Sequence, residues 1–108
     1  MEAGPGEFTF VPAADVDRAR IMEVTWLPTG AAAMTLGRLI LLRRDHAADR
    51  ALLGHELVHV RQWRELGAPR FLSRYLTAYA RGRFAGLGHD RAYRAIPLEG
   101  EAREVAGR

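Results

Sequence analysis

The most constraining feature of this 108-residue chain is the pattern H-E-x-x-H at residues 55–59, which lies within an apolar stretch. Apolar residues at positions 52, 53, 57, 58 and 60 predict a buried helix, and residues four apart on a helix share one face. The imidazoles of His55 and His59 can therefore converge on one metal ion with Glu56 beside them. Because burying two unpaired histidines and a glutamate is costly, a metal-binding helix is favoured over a surface helix with solvated side chains.

Composition limits the class of protein and the kind of metal site. The length suits one domain spanning residues 1–108. The absence of cysteine excludes disulfides and thiolate zinc ligands, which leaves histidines and carboxylates. The chain has no apolar run of 18 residues, and residues 1–7 are acidic with glycine and proline, unlike a signal peptide. We therefore expect no membrane span and a cytoplasmic location.

Charge raises the alternative of a nucleic-acid-binding protein. Every basic residue is an arginine, and residues 38–94 carry twelve arginines against five acids, whereas both ends of the chain are acidic. The arginines are dispersed, however, no basic run is present, and the net charge is only +3. We expect no nucleic-acid partner, and the charge asymmetry favours termini that fold back on the basic middle.

The first half of the chain predicts mainly short strands. Residues 8–11 alternate as in a strand, and residues 13–22 follow Pro12 with early acids and later arginines, which predicts a helix. Residues 23–27 predict a strand broken at 28–30, and residues 33–42 predict a strand or tight hairpin with Gly37 at a bulge or close backbone approach. An open strand edge beside the motif helix could accept an extended peptide, although a simple core strand fits equally well.

The second half predicts helices. Asp45 or Asp49 can cap the motif helix, which we expect to end at Gly67. Residues 70–84 predict an amphipathic helix. We expect its apolar face to pack in the core and its basic face to be solvated, and we favour this over contact with a membrane surface or nucleic acid. That apolar face comprises Phe71, Leu72, Tyr75, Leu76 and Tyr79. Glycines at 82, 86 and 88 predict a loose segment through residues 89–90, and Pro97 suits the first position of a last helix.

A catalytic zinc site needs a third protein ligand besides the two motif histidines. His46 lies too close in sequence to reach the same face of the helix. Glu99 and Glu101 lie on the separate last helix, which can pack beside the first, and His89 lies in the glycine-rich segment. All three remain candidates on spacing alone.

The motifs resemble those of a known family. H-E-L-V-H at 55–59 followed by E-x-x-A at 99–102 is similar to the gluzincin metallopeptidases, and the short chain and the strand at 35–37 are most similar to the minigluzincins. The resemblance, which covers residues 33–102, implies that His55, His59 and Glu99 bind one zinc ion per chain, with Glu101 as the alternate ligand, and that Glu56 is the general base. It also implies latent forms whose own chain covers the cleft. One departure is Arg103, where many gluzincins place an aspartate that supports a histidine.

These observations lead to one expected fold and two candidate functions. We expect an α+β fold with a small, mainly antiparallel sheet packed on the motif helix, followed by two more helices, the last bearing the glutamate. The expected function is zinc-dependent hydrolysis of a peptide or protein substrate, in which Glu56 takes a proton from water and passes it to the leaving amine. Tyr93 and His89 are candidates to stabilise the oxyanion. The alternative is a zinc-containing module that binds peptides without cleaving them.

Overall fold

A three-stranded sheet precedes four helices in the computed structural model, which describes residues 19–107. The strands are β1 (Arg20–Val24), β2 (Ala33–Leu36) and β3 (Leu39–Arg43). The helices are α1 (Arg50–Leu66), α2 (Ala68–Phe84), α3 (His89–Arg94) and α4 (Pro97–Ala106). Short 3₁₀ turns occupy Pro28–Gly30 and Arg44–His46. The predicted α+β class is confirmed.

The sheet has the order β1-β3-β2 and is mixed, since β3 pairs in parallel with β1 and antiparallel with β2. The predicted mainly antiparallel sheet is thus antiparallel in one of its two strand pairs. Residues 33–42 form the predicted hairpin, and Gly37 lies at its turn with a φ of +64°. A positive φ is accessible to glycine without steric cost, which explains glycine there better than the expected bulge.

The expected helix over residues 13–22 is wrong at its end. Its first part and the expected strand at 8–11 lie outside the described residues, whereas residues 20–22 belong to β1. Ile21 pairs with Ile40, and Met22 with Leu41, so pairing with the central strand overrides the local charge pattern. The expected strand at 23–27 correspondingly starts earlier and ends at Val24.

Helix α1 begins and ends as the sequence predicts. The Asp49 side chain accepts a hydrogen bond of 3.0 Å from the Leu52 backbone, which makes it the N-cap. Asp45, the other predicted cap, instead pairs with Arg43 at 2.8 Å. Gly67 follows the last turn with a φ of +80°. The helix packs against β2, β3, α2 and α4, so it lies at the centre of the described fold.

The core joins alternate residues of β3 to one face of α1. The burial of β3 alternates along the strand, with Ile40 fully buried, and Ile40 packs with Leu53, Leu57 and Val60 of α1. Burial of side chains of this size contributes about 1.5–3 kcal/mol each. This packing fixes the rotation of α1 and therefore the direction in which its remaining faces project.

The C-terminal half contains one helix more than expected. Residues 89–94 form α3, whereas the sequence predicts a loose segment through residues 89–90 and no helix before the last one. Gly82 lies inside α2, and a Cβ there would stand 3.0 Å from the Cβ of Ala92, so this glycine permits close helix packing. The predicted apolar face of α2 is only partly buried, because Leu72 and Leu76 are exposed. The described residues contain no helix long and apolar enough to cross a membrane.

Candidate metal centre

Helix α1 places His55, Glu56 and His59 in the protein interior. The three side chains are only 6%, 5% and 4% exposed, respectively. The two histidines lie one turn apart with ring centroids separated by 4.9 Å. Two imidazoles on one face of a buried helix can bind a common ion, as the motif predicts.

Glu99 of α4 meets both histidines. Its Oε1 lies 2.8 Å from His55 Nε2 and its Oε2 lies 3.1 Å from His59 Nε2. One ligand atom from each of these three residues lies within 4.8 Å of the others, an arrangement that could hold a metal ion. Glu99 is only 2% exposed, because α4 packs along α1. The structure thus brings together the three residues that the resemblance implies as ligands.

Electrostatics keeps the Glu99 carboxylate ionised. Burial alone would raise the pKa of Glu99, but the hydrogen bond with His55 and the charge of the nearby His59 imidazole hold that pKa well below its ordinary value. Burial likewise disfavours charge on His59, but the nearby Glu99 carboxylate raises the pKa of His59 above its usual range. The site therefore offers a cation a buried negative charge that is already formed.

The donor set fits a divalent metal. His59 Nε2 is buried without a hydrogen-bond partner among the described residues, since its 3.1 Å contact with Glu99 lacks hydrogen-bonding geometry. An unpartnered buried nitrogen is costly, and a metal ion would remove the cost. Two imidazole nitrogens and a carboxylate oxygen are a set that catalytic zinc uses, leaving a fourth position open.

Glu56 lies outside the three-residue group and is held by β2. Thr35 Oγ1 donates a hydrogen bond of 2.8 Å to Glu56 Oε1. Burial raises the pKa of Glu56, although the charge of His59 and the Thr35 hydrogen bond oppose the increase. A carboxylate with raised basicity is suited to accept a proton. Thr35 was not predicted as a site residue, because only the packing of the hairpin on α1 brings it there.

Two tyrosines adjoin the Glu99 carboxylate. The hydroxyl of Tyr75 donates a hydrogen bond to Glu99 Oε2. The sequence assigned Tyr75 only to the apolar face of its helix, and no local signal distinguishes it there. Burial, followed by the charge of Glu99, raises the pKa of both Tyr75 and Tyr93, so both hydroxyls stay protonated and can donate. The predicted role of Tyr93 in stabilising an oxyanion stays a prediction.

The other candidate ligands lie elsewhere. Glu101 Oε1 accepts a hydrogen bond of 2.6 Å from Gln62, and His89 Nδ1 lies 3.0 Å from the hydroxyl of Tyr79. Neither residue belongs to the three-residue group. Arg103, the departure from the gluzincin pattern, donates to the backbone carbonyl of Arg94.

Comparison with known proteins covers the middle of the chain. The family model of the eCIS core domain matches residues 25–67. Searches of curated proteins and of solved structures each find no match. The matched stretch contains the hairpin and α1, and hence Thr35, His55, Glu56 and His59, whereas Glu99 lies outside it.

Proposed function

We propose that this chain is a zinc-dependent metallopeptidase of the gluzincin type, similar to the minigluzincins, with one zinc ion per chain. The observation that supports the proposal best is the buried group of His55, His59 and Glu99. Buried Glu56, next to His55 on the same helix, supplies the group that a hydrolase needs beside such a site.

In this proposal the metal supplies Lewis-acid polarisation of the scissile carbonyl and activation of water. The protein's own contribution centres on Glu56. Because Thr35 occupies Oε1 of Glu56, the other carboxylate oxygen is left to accept the proton of the attacking water. Glu56 then gives that proton to the departing amine, which completes hydrolysis of the peptide bond.

A peptide or protein substrate would lie along β2. Within residues 19–107, this strand is at the edge of the sheet order β1-β3-β2, and it carries Thr35, which contacts the proposed base. A strand added to β2 would use backbone hydrogen bonds and bring a peptide bond beside Glu56. We propose this edge as the binding site for the extended chain.

The test is Glu56→Gln, which keeps the size and shape of the side chain. Purified protein is loaded with zinc and incubated with a mixed peptide library, and cleavage is measured by mass spectrometry beside metal analysis. We expect cleavage by the unchanged protein, a loss of about 10²–10⁴-fold in the variant, and one zinc per chain in both. Undiminished cleavage by the variant would exclude Glu56 as the base.

The alternative is a zinc-containing module that binds peptides without cleaving them. One observation favours it: His55, Glu56, His59 and Glu99 are each less than one-tenth exposed, so the group is enclosed. In the same library experiment this alternative predicts peptide retention by the zinc-loaded protein, no cleavage products, and no change with Glu56→Gln.

A further inference from the structure

The only glutamine of the chain lies buried between α1 and α4, next to the candidate metal centre. Gln62 is 2% exposed, and its amide has three polar contacts. Its Oε1 lies 2.7 Å from His59 Nδ1, and its Nε2 donates to the Leu98 carbonyl at 3.0 Å and to Glu101 Oε1 at 2.6 Å.

These contacts determine which way the amide faces. An amide nitrogen only donates, and the carbonyl of Leu98 and the carboxylate of Glu101 only accept, so the nitrogen must face α4. The amide oxygen then faces His59 and needs a proton from it. His59 therefore carries hydrogen on Nδ1, which leaves the Nε2 lone pair for a metal when the ring is neutral.

We propose that Gln62, oriented by Glu101, is a positioning residue that sets the tautomer of His59 and the placement of Glu99, and thereby the affinity for the metal. The proposal rests on the metal-binding part of the proposed function and not on catalysis. Neither Gln62 nor Glu101 would contact the ion.

The contact with Leu98 extends the effect to the third ligand. Leu98 directly precedes Glu99, so the bond from Gln62 to the Leu98 carbonyl ties α1 to the backbone beside the ligand. One buried amide thus holds a histidine ligand on its own helix and the glutamate ligand on the neighbouring helix. Gln62 thereby gives His59 the kind of hydrogen-bonding support that many gluzincins obtain from an aspartate at the position of Arg103.

Glu101 makes the wrong orientation of the amide unfavourable. A reversed amide would place its oxygen against two other oxygens, those of Leu98 and Glu101, and its nitrogen against Nδ1–H of His59. Removing the Glu101 carboxylate leaves one of these two acceptors. We therefore expect Glu101 to affect metal binding less strongly than Gln62 does.

The test measures zinc affinity by competition with a chelator, with no use of activity. Relative to the unchanged protein, we expect affinity to fall about 10- to 100-fold for Gln62→Leu and by a smaller factor for Glu101→Ala. Glu104→Ala, at an exposed position of the same helix, is the matched control and should leave affinity unchanged. The exchanged pair Gln62→Glu with Glu101→Gln restores an acceptor for Nδ1–H but loses the donor to the Leu98 carbonyl, so it should recover only part of the affinity that Gln62→Leu loses.

A second measurement separates positioning from general stabilisation. In zinc-loaded protein labelled with ¹⁵N-histidine, the Nδ1–H of His59 should exchange slowly with solvent, and Glu101→Ala should accelerate the exchange. If Gln62→Leu does not fold, Glu101→Ala alone carries both measurements. Unchanged zinc affinity and unchanged exchange in the folded variants would overturn the proposal while leaving zinc binding by the unchanged protein intact. Failure of the unchanged protein to bind zinc would overturn the proposed function as well.

Discussion

Replacing Thr35 with valine should impair catalysis without affecting metal binding. The substitution preserves the branched shape of the side chain and removes the hydroxyl that donates at 2.8 Å to Glu56 Oε1. Hydrogen bonds to charged groups contribute about 1.5–3 kcal/mol. If this hydrogen bond helps to orient and ionise Glu56, its removal should lower kcat/KM by roughly 10- to 100-fold.

The pH dependence identifies the part of this loss that comes from ionisation. Because the Thr35 hydroxyl lowers the pKa of Glu56, its removal should raise that pKa and move the acidic limb of the kcat/KM profile to higher pH. Activity lost through ionisation returns above the shifted limb, whereas activity lost through orientation does not. Thr35→Ser retains a hydroxyl and should stay close to the unchanged protein.

The assay compares the three proteins on one peptide substrate after each is shown to hold one zinc per chain. The Thr35 hydroxyl donates to Glu56, which is not one of the three proposed ligands, so zinc affinity should be equal in all three proteins. The reasoning would be refuted if Thr35→Val kept the full kcat/KM and an unshifted acidic limb. A loss of zinc in this variant would equally refute it, because the effect would then lie in the metal site.

Three further predictions concern the ligand, pH and packing. Glu99→Ala should weaken zinc binding in chelator competition by more than the roughly 10- to 100-fold loss that follows removal of a residue supporting a ligand, since the variant lacks the buried carboxylate itself. Retained affinity would point to another third ligand. Metal-free protein should resist urea best at mildly acidic pH. The lowered pKa of Glu99 contributes stability above about pH 4.5, and the raised pKa of His59 contributes stability that is complete below about pH 6.5. The stability that comes from the raised pKa of Glu56 is also lost as pH rises. Zinc should remove the alkaline decline, and a flat metal-free profile would contradict the shifts. Gly100→Ala should raise the free energy of unfolding by up to about 1 kcal/mol, because its Cβ would lie 3.8 Å from the nearest neighbouring side-chain atom. Gly82→Ala should lower the free energy of unfolding, because its Cβ would lie 3.0 Å from Ala92 of α3. Equal gains in thermal or urea unfolding would be inconsistent with that close contact.

The fold illustrates where local pattern suffices and where it fails. The hairpin around Gly37 and the limits of α1 follow from signals within a few residues: alternation, a capping aspartate and a terminal glycine. Residues 20–22 carry helical charge signals, but they form a strand because β3 lies beside them. Likewise, α3 begins at His89, inside the segment that the glycines predict to be loose, because Ala92 packs closely against Gly82.

The candidate metal centre likewise combines contacts that local spacing predicts with contacts that it does not. Spacing on one helix determined that His55 and His59 share a face with Glu56 nearby, because helical geometry fixes neighbours three and four residues apart. The same helical spacing places Gln62, three residues after His59, beside that histidine, so this contact could have been predicted from the sequence. The choice between Glu99 and Glu101 was not fixed by local spacing, because the rotation and position of α4 decide which carboxylate meets His55 and His59.

The sequence by itself therefore determined a helix able to present two imidazoles and a carboxylate, and it limited the remaining ligands to nitrogen and oxygen donors. Only the tertiary structure brought Glu99, and not Glu101, to the two histidines. It also placed the Thr35 hydroxyl against Glu56 and the Tyr75 hydroxyl against Glu99, and it paired Glu101 with Gln62. The physical reason is that these contacts join residues 21 to 44 positions apart. Their formation depends on how helices and the hairpin pack around a common core, which no local pattern specifies.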